Sequence, residues 1–234
     1  MTSWAVELKD VNKTYRTGPI EVSALRGIDL RVASGEFLAI AGPSGSGKTT
    51  LLNIIGGLDR ADTGEVLIEG KNLQHLSSGD LARLRLRHLG FVFQAYNLLP
   101  VLTALENAEF TLLLQGVPAG KRRARVKKLF SEIGLAGLEY RRPSELSGGQ
   151  QQRVAVARAI VTEPVLILAD EPTANLDSVS ALALLKVMEQ LNRNHGTTFV
   201  YATHDPLVME RARRLIGMRD GQIHTDVAHA SPGA

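Results

Sequence analysis

Cysteine is absent from this chain of 234 residues, aromatic residues make up only 5%, and no long uncharged apolar run occurs. The lack of cysteine excludes disulfide frameworks, thiolate zinc sites and cysteine nucleophiles. A membrane-spanning helix needs about 20 mainly apolar residues, and a signal peptide needs a basic segment before an apolar one. We therefore expect neither, and by default this favours a cytosolic protein.

The composition is that of an ordinary globular chain, with 44% hydrophobic residues, 22% charged residues and a formal net charge of +3. The sequence pI is about 9.3. Basic residues cluster at 83–87, 121–128, 141–142 and 211–214, and most are interleaved with apolar residues. Such clusters are either solvated helix faces or a patch for a polyanion or anionic lipid headgroups, so charge alone does not decide the function.

Strand and helix patterns alternate along the chain. Segments 4–8 and 20–25 alternate in polarity around a turn at 17–19, which predicts an antiparallel region. Two apolar runs, 37–41 and 165–169, predict strands that are buried on both faces. Further strands are predicted at 198–202, 215–216 and 222–223. Helices are predicted at 48–55, 149–162 and 181–193, and segment 73–128 as a helical insertion with a capping box at Thr103 and Glu106.

The segment 42–49, GPSGSGKT, matches the phosphate-binding loop (P-loop) pattern between a buried strand and a helix. Its glycines allow successive N–H groups to face a phosphate, and the helix adds its positive dipole end. We expect the Lys48 side chain to reach the β- and γ-phosphates and the Thr49 hydroxyl to bind Mg²⁺. The predicted nucleotide-binding residues here are Gly42, Ser44, Gly45, Ser46, Gly47, Lys48, Thr49 and Thr50.

Two adjacent acids, Asp170 and Glu171, follow the second buried strand, where an open α/β sheet binds its ligands. Asp170 is predicted to anchor Mg²⁺, and Glu171 to orient and polarise the attacking water. The alternative is an acidic helix cap after a strand.

A second glycine-containing helix start occurs at 146–150, LSGGQ. Ser147, Gly148 and Gly149 either form a second anion-binding site, serving a nucleotide on another copy of the chain in a two-fold dimer, or merely cap a helix. The residues alone leave both alternatives open.

With these motifs in this order, the sequence resembles the ATP-binding cassette (ABC) family from residue 6 to about residue 225. The resemblance implies an α/β P-loop NTPase core with a mainly parallel sheet, an N-terminal antiparallel β region and a helical subdomain inserted at about 95–160. It implies one domain over 1–225, and we expect 226–234 to be a disordered tail. It further implies an Mg-dependent ATPase that forms a homodimer, with ATP between the P-loop of one copy and LSGGQ of the other.

The resemblance also assigns residue roles. Tyr15 matches the aromatic residue that stacks on adenine, and His204 matches the histidine that contacts the γ-phosphate. Gln94 matches the glutamine that senses Mg²⁺ and couples the site to a membrane partner. Asp177 matches the acid at the dimer seam. Each has a simpler alternative: Tyr15 as an edge-strand aromatic, the others as helix caps or helix starts. Glu171, His204 and Lys48 are thus the predicted catalytic residues, and Thr49, Gln94 and Asp170 the predicted metal ligands.

Within the family, segments 93–100, 102–107 and 169–177 resemble the group of macrolide exporters and lipoprotein-releasing transporters. This implies a separately encoded transmembrane permease as partner, a location at the cytoplasmic face of the membrane and no nucleic acid. The permease would dock on a groove with Tyr96, Leu98, Leu99 and Val101, unless these residues pack in the core. The alternative function is a nucleic-acid-handling ATPase of the same family.

Overall fold

The computed structural model describes residues 4–228, which form two sheets with helices packed around the larger one. The strands are β1 (Trp4–Thr17), β2 (Ile20–Ala33), β3 (Phe37–Ala41), β4 (Thr63–Ile68), β5 (Lys71–Asn72), β6 (Leu89–Val92), β7 (Leu166–Asp170), β8 (Thr198–Thr203), β9 (Arg214–Arg219) and β10 (Gln222–Ala228). The helices are α1 (Lys48–Ile55), α2 (Ser78–His88), α3 (Ala104–Leu114), α4 (Ala119–Glu132), α5 (Gly148–Ile160), α6 (Ser178–His195) and α7 (Pro206–Arg211). Within these residues no helix is long and apolar enough to cross a membrane.

The larger sheet has the strand order β10-β9-β3-β8-β7-β6, and only β10 runs antiparallel to its neighbour. All residues of β3 are buried, as the uninterrupted apolar run predicted. Successive side chains point to opposite faces, so that Phe37 joins the core beneath the helices and Leu38 joins the core between the two sheets. The predicted α/β fold class is confirmed.

The smaller sheet is the predicted antiparallel region, in the order β2-β1-β4-β5. The turn between β1 and β2 contains Gly18 with φ 59°. Both strands are longer than the sequence pattern predicted, because β-bulges interrupt their alternation and break the period-two signal. Strand β4, which pairs with β1, was not predicted.

The middle of the chain corrects one prediction, because 73–128 is not helical throughout. Strand β6 lies within it and completes the parallel sheet beside β7. Four residues are too few for a clear periodicity, and the preceding basic helix α2 continues the apolar spacing up to Leu89. Gly90 explains how the strand fits: a Cβ there would lie 2.5 Å from the Ala159 carbonyl oxygen.

Three helices, α3, α4 and α5, lie within the predicted helical subdomain, and Thr103 with Glu106 forms the predicted capping box of α3. At the C-terminus, β10 continues past the predicted domain end at residue 225. Residues 229–234 of the predicted tail lie outside the described residues.

Candidate functional site

The carboxyl ends of the parallel strands β3, β6, β7 and β8 meet at one edge of the larger sheet, where they border an open cleft of about 970 Å³. The predicted residues that line it are Tyr15, Ser44, Gly45, Gly47, Lys48, Thr49, Thr50, Gln94, Glu171 and His204. Arg26, Asp220 and Gly221 also line the cleft, and no sequence motif indicated them. Parallel strands place their following loops side by side, and this brings the separate motifs together.

The P-loop leaves backbone donors free at the start of α1. Gly47 is the N-cap residue with φ 101°, and no side chain caps the helix. The first N–H groups of a helix have no partner within it, which makes this end suitable for a phosphate. Lys48 is 8% exposed, and its Nζ donates to the carbonyls of Gly42 at 2.7 Å and Pro43 at 3.0 Å. The buried Ser46 hydroxyl has no hydrogen-bond partner among the described residues, which also suits a site for phosphate.

The glycine at position 42 has a structural reason beyond the ligand. A Cβ there would lie 2.2 Å from the Met218 carbonyl oxygen in β9. The turn after β9 also supports the loop, because the Gly221 N–H donates to the Ser46 carbonyl at 3.1 Å. The P-loop is therefore shaped by the β9–β10 hairpin, far away in sequence.

Asp170 and Thr49 are brought together, with the Thr49 hydroxyl donating to Asp170 Oδ1 at 3.3 Å. Burial raises the pKa of Asp170, and the adjacent Glu171 charge adds to this, while the Thr49 hydrogen bond and the Lys48 charge oppose it. A hydroxyl and a carboxylate beside a phosphate site form a donor set that fits Mg²⁺. Among residues 4–228 no group of three or more His, Asp or Glu side chains could hold a metal ion alone.

Glu171 is held from several sides. Its backbone has φ 47°, and its N–H donates to the Ala202 carbonyl at 2.9 Å. His204 Nδ1 donates to Glu171 Oε1 at 2.6 Å, and the Thr203 hydroxyl donates to Oε2 at 3.2 Å. The Glu171 side chain is 15% exposed and that of His204 is 70% exposed, so the histidine lies at the open side of the cleft. His204 thus contacts the acid, while the following Asp205 caps α7.

Tyr15 is held by Asp59 and Lys13, two residues that no sequence motif indicated. Its hydroxyl donates to Asp59 Oδ2 at 2.7 Å, and Lys13 Nζ lies 5.1 Å from its ring centroid. Burial would raise the pKa of Asp59, but hydrogen bonds from Tyr15 and Lys13 outweigh it and hold this pKa below its usual value. The three side chains form a small network at the mouth of the cleft.

The loop of Gln94 is joined to the loop after Glu171. Asn175 Nδ2 donates to the Gln94 carbonyl at 2.9 Å. Gln152 in α5 donates to the Pro172 carbonyl at 2.7 Å and to the Phe93 carbonyl at 3.4 Å. The helix cap considered for Gln94 is not found, because the next helix begins at Ala104 with Thr103 as its cap. No local sequence signal identified Gln152.

The LSGGQ segment does not line the cleft of its own chain. The Ser147 side chain caps α5, accepting from the Gln150 N–H, and Asp177 caps α6, accepting from the N–H groups of Val179 and Ser180. Both cap alternatives are therefore present in the single chain. Ser147 and Asp177 are nevertheless exposed, so their caps leave both side chains accessible.

The groove residues divide into two kinds. Leu98 packs against the core, whereas Leu99 is 40% and Val101 is 74% exposed. Arg158 supports this segment from α5 by donating to the carbonyls of Tyr96 and Asn97. A hydrogen-bonded backbone thus presents Leu99 and Val101 to solvent.

A family model described as ABC transporter matches residues 25–174. The chain belongs to the ABC transporter family. The lipoprotein-releasing system ATP-binding protein LolD of Anaeromyxobacter dehalogenans is 45% identical over 230 residues, covering 98% of this chain and 96% of that protein. The macrolide export ATP-binding/permease protein MacB of Syntrophobacter fumaroxidans is 47% identical over 223 residues, covering 94% of this chain and 31% of that protein. The chain thus spans about a third of that relative.

A solved structure agrees over the whole ABC cassette. The dimeric post-hydrolysis state of the ATP-binding cassette MJ0796, bound to ADP and Pi, matches with a TM-score of 0.88 and 41% identity, covering 97% of this chain and 99% of that one. The expected family and ATPase activity are confirmed. The relatives do not support the nucleic-acid-handling alternative.

Proposed function

We propose that this ABC ATPase hydrolyses Mg-ATP in a homodimer and thereby powers a separate membrane permease for export or lipoprotein release. The observation that carries this is the single cleft in which the P-loop, Glu171, His204 and Gln94 meet. The names of LolD and MacB support the export or lipoprotein-release class. ATP hydrolysis takes place at the cytoplasmic face of the membrane, where the chain is a peripheral subunit of the transporter.

Each residue of the cleft has its own role in ATP binding or hydrolysis. The P-loop N–H groups and Lys48 bind the β- and γ-phosphates, and Tyr15 stacks on the adenine. Thr49, Asp170 and Gln94 are the residues that would hold Mg²⁺, which would supply positive charge to neutralise the phosphate oxygens. Glu171 orients the attacking water and accepts its proton, while His204 holds the carboxylate and contacts the γ-phosphate.

The dimer follows from the separation of LSGGQ from the cleft. Ser147 is exposed and Gly148 is half-buried, and neither they nor Gly149 line the cleft of their own chain, so the nucleotide that they contact belongs to another copy. The MJ0796 cassette is dimeric in its solved structure, which supports the same arrangement here. Asp177, at the start of α6, lies at the seam.

The permease docks on the segment with Tyr96, Leu98, Leu99 and Val101. Exposed apolar side chains on a fixed backbone suit a short helix with an apolar face. Tyr96 also contacts the loop before α6, because its hydroxyl donates to the Asn175 carbonyl at 3.4 Å. Docking is thereby joined to the ATP site.

Phosphate release from Mg-ATP by the chain, alone and with its permease, tests this function. Glu171→Gln should abolish release and retain ATP binding. Glu163→Gln is the matched control, because Glu163 precedes β7 as Glu171 follows it, also has a positive φ, and is exposed away from the cleft. Equal loss in both variants, or activity in Glu171→Gln, would contradict the assigned role.

A further inference from the structure

Gln152 has an unusual environment for a polar side chain. It lies in the second turn of α5 and is 0% exposed. Its Nε2 donates to the carbonyl of Pro172, the residue after Glu171, and to the carbonyl of Phe93, the residue before Gln94. One amide nitrogen therefore joins the helix that begins at LSGGQ to the two loops that carry the proposed water-orienting acid and the metal-sensing glutamine.

The orientation of this amide is determined by its surroundings. Exchanging the two amide atoms would place Oε1 2.7 Å from the Pro172 carbonyl oxygen, and two acceptors repel at that distance. The nitrogen must therefore face both carbonyls. Oε1 is left buried without a partner, which is a cost that a side chain selected only for core packing avoids. The functional group of Gln152 is thus its Nε2, which donates to the two loop carbonyls.

The backbone that Gln152 contacts is strained. Glu171 has φ 47°, in the left-handed region that a residue with a side chain rarely adopts, and such a conformation persists only where surrounding contacts hold it. The backbone contacts include the Glu171 N–H to the Ala202 carbonyl and the Ala174 N–H to the Glu171 carbonyl, and Gln152 adds a contact from another helix to the Pro172 carbonyl. Pro172 has no N–H, so its carbonyl is the backbone hydrogen-bonding group that it offers.

We propose that Gln152 is a positioning residue for ATP hydrolysis, which keeps the Glu171 carboxylate and the Gln94 loop in register with the helix that starts at LSGGQ. This rests on the proposed function. Gln152 itself does not line the cleft, so it acts on the chemical step through the two loops. Loss of its donors releases the strained backbone and displaces the carboxylate, while the P-loop remains intact.

Gln152→Leu is the test, because it removes both donors at similar size in a buried site. Misplacing a catalytic group by about 1 Å can cost about 10²-fold in rate, so we expect kcat to fall about 10- to 100-fold. The Kd for ATP should stay at the wild-type value. Hydrogen exchange should become faster at 93–97 and 171–177 and stay unchanged in β3.

Gln115→Leu is the matched control. Gln115, at the end of α3, is a half-buried amide that also donates to a backbone carbonyl, that of Leu86 at 2.8 Å, and does not line the cleft. It should keep the wild-type kcat. If Gln152→Leu does not fold, Gln152→Met retains the unbranched shape and takes its place in the same assays.

The outcomes separate the two proposals. Wild-type kcat in a folded Gln152→Leu variant overturns the positioning role alone. Equal loss of ATP affinity and kcat, or failure of both variants to fold, assigns Gln152 a general structural role and also overturns it. If the wild type releases no phosphate, alone or with its permease, the proposed function fails and this inference fails with it.

Discussion

Lys48 gives the sharpest test, because the structure predicts that its removal changes stability little and weakens ligand binding strongly. Its side chain is almost completely buried, and its ammonium donates only to the carbonyls of Gly42 and Pro43. It forms no ion pair with a carboxylate of the described residues. Without nucleotide, the chain therefore holds a buried cation with no carboxylate in direct contact, although the Asp170 charge lies near enough to act on it.

The expected change in stability for Lys48→Met is small. Two hydrogen bonds from a charged donor are lost, each worth about 1.5–3 kcal/mol. The desolvation penalty of a buried ion, about several kcal/mol, disappears at the same time. Because these terms oppose each other, we expect the free energy of unfolding to change by less than about 2 kcal/mol.

The expected change in ATP affinity is large. When phosphates are bound, the ammonium exchanges its carbonyl partners for phosphate oxygens, and the difference is a charge-assisted contact between opposite charges. A loss of about 3 kcal/mol corresponds to an affinity roughly 10²-fold weaker. Titration calorimetry with Mg-ATP measures the affinity, and thermal unfolding without nucleotide measures the stability.

Lys186→Met is the control for this experiment, because Lys186 is exposed on α6. It should leave both quantities at their wild-type values. Unchanged ATP affinity in Lys48→Met would refute the P-loop assignment. A strongly lowered melting temperature would instead contradict the expectation that relief of the desolvation penalty offsets the two lost hydrogen bonds.

Three further results are expected. The Glu171→Gln variant should sediment as a monomer without nucleotide and as a dimer with ATP. Adding Ser147→Arg should restore the monomer in the presence of ATP. Adding Ser77→Arg instead, which removes a similar serine cap from α2, should leave the dimer intact. Leu99→Glu and Val101→Glu should release the chain from permease-containing membranes in co-sedimentation without lowering the melting temperature, whereas Leu98→Glu should lower it, because only Leu98 packs against the core. Asp59→Asn should weaken the acid dependence of thermal unfolding: the lowered pKa of Asp59 adds stability above the unfolded-state value of about 3.9, which is lost as pH falls through the folded-state value, and an unchanged pH profile would contradict this.

Structural features that depend on a short stretch of sequence could be predicted without the structure. The apolar run 37–41 predicts a buried strand, GPSGSGKT predicts the turn and helix start that follow it, and α1 begins and ends where its pattern indicates. Local steric preferences, helix capping and the period of apolar residues decide these features. The strands β3 and β7 then place Lys48 and Asp170 at one sheet edge by topology alone.

Only the tertiary structure decided which distant groups meet. The Met218 carbonyl restricts residue 42 to glycine, and Asp59 anchors Tyr15. Gln152 joins the loops of Gln94 and Glu171, and β6 completes the larger sheet. These contacts depend on packing between segments far apart in sequence, and no local period or motif encodes such distances. The sequence by itself therefore determined the family, the motifs and the class of chemistry, whereas side-chain packing across the fold determined which residues hold the reacting groups in position.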